Sequence, residues 1–314
     1  MPKIQTAIPA LVTEGADDLL ARDLPPVRMV VGNVIPAGLL LLAGDPKAGK
    51  SLLMQDLALS VATGEPAWGD LAVEAGDVLY LANEGGQRSF KGRLEAMLAG
   101  VPAPARLRIA YKSEPLGERL EFQLETWLNE HPDARLIVID TYSSVAPETR
   151  GVNRHQEDYN ALAGLADLAN RYPDILLVVI HHTRKAEGED VMHRISGSQG
   201  MTAATDGNAV LSRHTAARQC VLSVRPRSAE ESDLVIERDS ATLRWQVKGE
   251  NERAQLSDGR QRILDHLDQN PAGSSPKDVA TALDLSPENA RKYLSEMAKA
   301  RQVTKDARGL YRAA

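Results

Sequence analysis

Cysteine is almost missing from this 314-residue chain, and the single copy, Cys220, rules out an internal disulfide. That usage fits a reducing, cytosolic setting, and Cys220 reads as strand packing rather than as a reactive thiol. Long apolar runs are missing too. The stretch Ile175 to Ile180 is far short of the roughly 18 residues a membrane span needs, so no membrane contact is expected. Met1-Pro2-Lys3 leads into no sustained apolar region, so no secretory leader is expected. Internal repeats and low-complexity tracts are absent. No strong basic excess exists: net charge is −6, from 37 Lys/Arg and 43 Asp/Glu. From Gln255 onward ten basic and eight acidic residues give +2, so the rest carries −8. Bulk charge therefore does not mark a nucleic-acid binder, and any such contact must come from local patches.

What is present is a loop built for phosphate. Gly44-Asp45-Pro46-Lys47-Ala48-Gly49-Lys50-Ser51 fits G-x-x-x-x-G-K-[ST]. The apolar run Leu39 to Ala43 before it predicts a buried strand, and Leu52 to Leu59 after it predicts a helix. In that context, loop N–H groups and the positive helix end point at the β-phosphate. Lys50 then reaches the β- and γ-phosphates, and the Ser51 hydroxyl ligates Mg²⁺. The chain is expected to bind a nucleoside triphosphate together with Mg²⁺.

Strands and helices alternate from about Pro25 to Gly249. Strands are predicted at Leu39–Ala43, Val78–Ala82, Arg108–Tyr111, Leu136–Asp140 and Ile175–His181. Helices are predicted at 51–62, 87–99, 118–129 and 155–172. This alternation argues an α/β fold with a doubly wound, mostly parallel sheet. Three short strands without helices, Gln219–Val224, Leu234–Glu237 and Leu243–Val247, read as an antiparallel extension at one edge. The division expected is an N-terminal arm (1–24), a core (25–250), a polar linker (251–258) and a helical unit (259–314). In that last unit Ser275-Pro276 and Ser286-Pro287 both read as helix starts. Three helices and a hairpin-like tail suggest a winged helix-turn-helix.

Three strand ends carry polar groups. Leu136-Ile137-Val138-Ile139-Asp140 ends in a carboxylate suited to holding Mg²⁺ beside the phosphates. The strand after the P-loop helix ends at Asn83-Glu84, so Glu84 emerges next to the phosphates. A carboxylate there can orient the attacking water or take its proton; the plainer reading is a surface Glu before the Gly85-Gly86 turn. Ile180-His181-His182-Thr183-Arg184-Lys185 closes a third strand. No other Cys/His pair lies at ligand spacing, so metal binding by the histidines is not expected. A polar group at that end instead sits near the γ-phosphate.

Together, Gly44–Ser51, Glu84, Asp140 and the stretch 181–185 resemble the RecA-like ATPase superfamily. Within it the chain is similar to the RepA-type hexameric helicases of plasmids and phages, whose His-His-x-x-Lys signature fits His181-His182-Thr183-Arg184-Lys185. The resemblance covers roughly 25–249. It implies ATP hydrolysis with Glu84 as catalytic base and His182, ahead of His181, as γ-phosphate sensor. It also implies a basic element after a late core strand that reaches the neighbouring subunit's ATP. Val224-Arg225-Pro226-Arg227-Ser228 matches, with Arg227 as the finger and Arg225 assisting. The match is imperfect: Arg stands for Lys, Pro226 intervenes, and the following glycine is absent.

By the same resemblance, loops 141–154 (with Arg150 and Arg154) and 184–200 (with Lys185, Arg194 and Gly197) line the pore of a homo-oligomeric ring, expected to be hexameric. Cations there would hold single-stranded DNA by its backbone without reading sequence. In the C-terminal unit, Ala290, Leu294 and Met297 form one stripe while Arg291, Ser295 and Lys299 share another face. That arrangement suits a recognition helix on duplex DNA, with Lys305 and Arg308 in a wing, or equally a protein-docking domain. A primase or replication initiator is the implied partner. The competing function is an ATP-switched regulatory or recombinase-like ATPase without unwinding activity.

Overall fold

The computed structural model describes residues 13–24, 26–44, 46–117, 119–147, 154–182, 199–213, 219–250, 258–283, 285–299, 301–306 and 308–313. A short helix α1 (Ala16–Ala21) with no buried residue precedes a small hairpin, β1 (Met29–Val31) with β2 (Ile35–Pro36). The chain then enters β3 (Gly38–Gly44), α2 (Lys50–Thr63), β4 (Asp77–Ala82), α3 (Gly86–Leu98) and β5 (Leu107–Ala110). Next come α4 (Arg119–Glu130), β6 (Ala134–Asp140), α5 (Tyr142–Val145), α6 (Arg154–Arg171), β7 (Leu176–Ile180) and α7 (Gln199–Ala204). Four strands without helices follow: β8 (Gly207–Arg213), β9 (Gln219–Pro226), β10 (Ser232–Arg238) and β11 (Trp245–Glu250).

The larger sheet runs β11-β10-β9-β8-β3-β7-β6-β4-β5. Strands β8, β3, β7, β6, β4 and β5 are mutually parallel, while β9, β10 and β11 continue antiparallel beyond β8. The central strands read Gly-Leu-Leu-Leu-Leu-Ala and Leu-Ile-Val-Ile because both faces are covered. Leu40, Leu42, Val78 and Tyr80 pack with Leu53, Leu57 and Phe90 from α2 and α3. Their neighbours Leu39, Leu41, Leu79 and Leu81 pack the other way, with Leu124 of α4 and Leu165 of α6. Truncating so enclosed a side chain as Leu124 costs roughly 2–5 kcal/mol. Because the parallel strands share one direction, β3, β4, β6 and β7 all deliver their last residues to one edge of the sheet, where α/β folds bind ligands.

Helix α2 is apolar nearly all round, from Leu53 to Ala62, and accordingly buried. Its one acid, Asp56, is fully buried and accepts from the Trp245 backbone N–H at 2.7 Å while pairing with Arg244. Burial raises the Asp56 carboxyl to about 6 even though Arg244 pulls it down. This contact ties the β10–β11 turn to the phosphate-loop helix and seats Trp245 beside Gly49, where an added Cβ would meet its ring at 2.9 Å. Gly64, at φ 81°, ends α2 by donating to Ser60 O at 2.7 Å.

The last unit has a separate core. Helices α8 (Asp258–Gln269), α9 (Pro276–Leu283) and α10 (Pro287–Lys299) precede an antiparallel pair, β12 (Val303–Lys305) and β13 (Tyr311–Ala313). Ile263, Leu267, Val279, Ala290, Leu294 and Met297 form its interior. Ser275 and Asp278 cap α9 reciprocally: Asp278 N–H donates to Ser275 Oγ at 3.3 Å, and Ser275 N–H donates to Asp278 Oδ2 at 3.0 Å. Arg291, Ser295 and Lys299 stand exposed on α10.

Two expectations needed adjustment. The strand expected at Leu243–Val247 begins only at Trp245, since Leu243 sits at φ 59° in a turn built on Asp239, and it continues through Glu250, up to the stretch read as linker. Strand β8 went unread. It has only Ala209-Val210-Leu211 as an apolar run, and its stability comes from two distant partners, β3 and β9.

Candidate nucleotide-binding site

Gly44 closes β3 and Lys50 opens α2, so the phosphate loop is a strand-to-helix turn. Its backbone is in the left-handed region at Lys47 (φ 65°) and Gly49 (φ 106°). Gly44 (φ 150°) packs so closely on β8 that a Cβ would lie 2.4 Å from Leu211 O, and no side chain fits there. Pro46, Lys47 and Ala48 lie in this turn, while Asp45 lies outside the described residues. Arg213 Nη2 donates to Lys47 O at 2.5 Å and braces the loop from β8.

Side chains from four strand ends converge here. Lys50 is only 3% exposed; its Nζ donates to Gly44 O at 2.6 Å and lies 3.1 Å from His182 Nδ1. His182 Nε2 in turn is 3.7 Å from Glu84 Oε2. Ser51 Oγ donates to Asp140 Oδ1 at 3.1 Å, and the buried Tyr80 hydroxyl donates to Asp140 Oδ2 at 2.8 Å. A cavity of about 380 Å³ opens onto Lys50, Ser51, Glu84, Asp140 and His182. The expected loop, carboxylates and second histidine thus meet in one place, although they span 139 positions from Gly44 to His182 counted inclusively. His181 points elsewhere, its ring edge-on to Tyr142 at 5.9 Å.

Burial pushes the Asp140 carboxyl up; hydrogen bonds from Tyr80 and Ser51 counter it, and the Glu84 charge adds to the rise. A cation beside Asp140 would relieve that cost. Burial also works to raise Glu84, but hydrogen bonds from Thr141 and Ser143, with His182 alongside, hold it below the usual carboxylate range. Glu84 therefore stays ionised at neutral pH. The Tyr80 hydroxyl is driven well up by burial and by Asp140, so it remains a donor.

The donor set fits Mg²⁺. Ser51 Oγ and Asp140 Oδ1 are hard oxygens side by side, and among the described residues no cluster of three His, Cys, Asp or Glu forms a complete protein cage. One or two protein oxygens completed by substrate phosphates is the usual Mg²⁺ arrangement. Bound there, the ion would neutralise phosphate charge.

Two arginines went unread in the sequence. Arg93 of α3 lines the cavity, and its charge acts on Asp140 and Tyr80. Its only sequence signal is a position three residues after Phe90, which stacks edge-on with Tyr80 at 5.1 Å. Arg238 of β10 also lines the cavity, its guanidinium 5.8 Å from the Trp245 ring centroid.

Arg225 and Arg227 are not brought to this site within one chain. They flank Pro226, which ends β9 and pairs with Gly207, at the opposite end of β8 from Leu211, which pairs with Gly44. Arg225 is committed across β9–β10, to Asp233 at 2.9 and 3.0 Å and to Glu231 at 2.9 Å. Arg227 Nη2 donates to Ala203 O at 2.6 Å. The proposed pore residues Arg150, Lys185, Arg194 and Gly197 lie outside the described residues, and Arg154 begins α6.

A phosphate loop after β3 of a mostly parallel sheet, with carboxylates at the ends of β4 and β6 on the same edge, is the layout of a P-loop ATPase with a RecA-like fold. The chain belongs to the AAA domain family, whose model matches residues 7–188. No curated protein matches it in sequence. Among solved structures it is similar to one described as an ATPase domain, with TM-score 0.56 and 11% identity, covering 67% of this chain and 84% of that one. A DnaB-like replicative helicase solved with regard to its interactions with primase gives TM-score 0.54 at 12% identity; the match covers 67% of this chain and 57% of that one. The KaiC-like protein PH0186 from Pyrococcus horikoshii OT3 gives TM-score 0.50 at 12% identity, over 71% of this chain and all of that one. At such identities these likenesses establish the fold. No helix among the described residues is long and apolar enough to cross a membrane.

Proposed function

We propose that this protein is an ATP-hydrolysing, ring-forming DNA helicase or translocase of the RepA type, acting in replication of a plasmid, phage or mobile element. The observation that carries the reading is the chain Lys50–His182–Glu84, with contacts of 3.1 and 3.7 Å, beside the Ser51–Asp140 pair. A phosphate binder, a group placed to sense the γ-phosphate and an ionised carboxylate stand in sequence along one cavity. Glu84 is the general base, Lys50 and the loop 44–51 hold ATP, and Ser51 with Asp140 holds Mg²⁺. His182 opens the segment proposed to touch DNA, so loss of the γ-phosphate would be felt there directly.

In this reading Arg227 completes a neighbour's site as a planar phosphate clamp, and it does so alone, because Arg225 is spent on Asp233 and Glu231. Arg227→Ala is expected to keep nucleotide binding and lose hydrolysis. Mixing it with Lys50→Ala chains should restore part of the activity, because mixed interfaces then carry one intact Lys50 and one intact Arg227. Absence of complementation removes the shared site. The last unit, 259–314, is proposed as a winged helix whose exposed α10 face and hairpin meet duplex DNA.

The deciding experiment measures ATP turnover with and without single-stranded DNA, alongside particle mass with ATP and Mg²⁺. A ring-sized mass with DNA-stimulated turnover is expected, followed by unwinding of forked duplexes. A monomer or dimer with slow turnover indifferent to DNA would instead mark an ATP-switched regulatory or recombinase-like protein.

A further inference from the structure

Glu84 reaches the cavity with one of its two oxygens already engaged. Thr141 Oγ1 lies 2.6 Å from Oε1 and Ser143 Oγ lies 3.0 Å from it, while the two hydroxyl oxygens are 2.7 Å apart. Three oxygens therefore share two hydroxyl protons. The shortest edge makes Thr141 a donor to the carboxylate; Ser143 donates either to Glu84 or to Thr141. Both arrangements tie Oε1 and leave Oε2 facing His182 Nε2 at 3.7 Å.

The hold is anchored in the fold. Thr141 follows the last residue of β6 and is 1% exposed. It caps α5: its N–H donates to Ser144 Oγ at 3.3 Å, and Ser144 Oγ donates to Thr141 O at 2.6 Å. Ser143 lies within α5 and is exposed. The start of α5 thus fixes where both hydroxyls stand relative to Glu84, two residues past the end of β4.

We propose that Thr141 and Ser143 are positioning residues for Glu84, holding Oε1 so that Oε2 is presented to the attacking water beside His182. This rests on Glu84 being the hydrolytic base. In that step the water oxygen bonds to the γ-phosphorus as its proton passes to Oε2. The bond from that phosphorus to the β–γ bridging oxygen breaks, leaving ADP and phosphate. The hydroxyls touch neither water nor phosphate; they restrict the carboxylate's rotation. Misplacement of a reacting group by about 1 Å costs up to roughly 100-fold in rate, so this restriction has a measurable value.

The test is steady-state turnover of Mg²⁺·ATP by the full chain, in Thr141→Val, Ser143→Ala, the double variant and Thr141→Ser. The double variant is expected to lose at least about tenfold in kcat with KM changed less than about twofold, and Thr141→Ser to stay within about twofold of wild type. An unchanged kcat in the double variant overturns the proposal. So does a parallel rise in KM, or a Thr141→Ser variant as slow as Thr141→Val. Should Thr141→Val fail to fold, the exposed Ser143 carries the test: Ser143→Ala is then expected to lower kcat about threefold, and a wild-type kcat overturns the idea. Glu84→Gln measured in parallel separates the two levels. Wild-type turnover there removes the base assignment itself; an inactive Glu84→Gln beside a fully active double variant removes the positioning role alone.

Discussion

Glu84→Gln is expected to bind ATP as the wild type does and to hydrolyse it at least ~100-fold more slowly. Glutamine matches glutamate in size and its carbonyl oxygen still accepts from Thr141 and Ser143, so the cavity wall should persist. What disappears is the carboxylate oxygen that faces His182, on a group whose pKa is held below the usual carboxylate range. Asp140 cannot replace it, because Tyr80 and Ser51 occupy its two oxygens and burial disfavours its charge. Titration with a fluorescent nucleotide and a phosphate-release assay separate the two effects. Normal release from the Gln variant would remove Glu84 from the chemistry.

Lys50→Ala should abolish measurable ATP binding, a loss of at least ~100-fold or about 3 kcal/mol. The ammonium is nearly enclosed, and its contacts at 2.6 Å to Gly44 O and 3.1 Å to His182 Nδ1 hold it over the mouth of the loop. A compact point charge with three donors suits phosphate oxygens, and alanine replaces none of those donors. The expected signature differs from that of Glu84→Gln: binding and turnover fall together. Calorimetric titration with ATP and Mg²⁺ checks it. Retained micromolar affinity would mean that the backbone N–H groups and Arg93 suffice to hold the nucleotide.

The site was legible in unequal parts. Gly44, Gly49, Lys50 and Ser51 could be read directly, because a phosphate loop is local: one turn fixes its glycines and aims its donors. Asp140 and Glu84 were legible one step further on, since an apolar run ending in a carboxylate announces its own strand end, and parallel strands put their ends on one edge. His182 needed the resemblance to be singled out from His181. The tertiary structure separates the pair, sending one ring to Lys50 and the other to Tyr142.

Arg93, Arg238, Tyr80 and the Thr141–Ser143 pair were beyond the sequence, because each joins the site through groups far away along the chain. Tyr80 reaches Ser51 across 29 positions and Asp140 across 60, and Thr141 reaches Glu84 across 57. Strand β8 was hidden for the same reason, its three apolar residues gaining meaning only between β3 and β9. Periodicity and loop chemistry, which are short-range, determined the alternating fold and the phosphate turn. Register across the sheet, which depends on long-range burial of both faces, decided which polar side chains meet at the cavity and sent Arg225 and Arg227 to the far end, away from their own chain's phosphate loop.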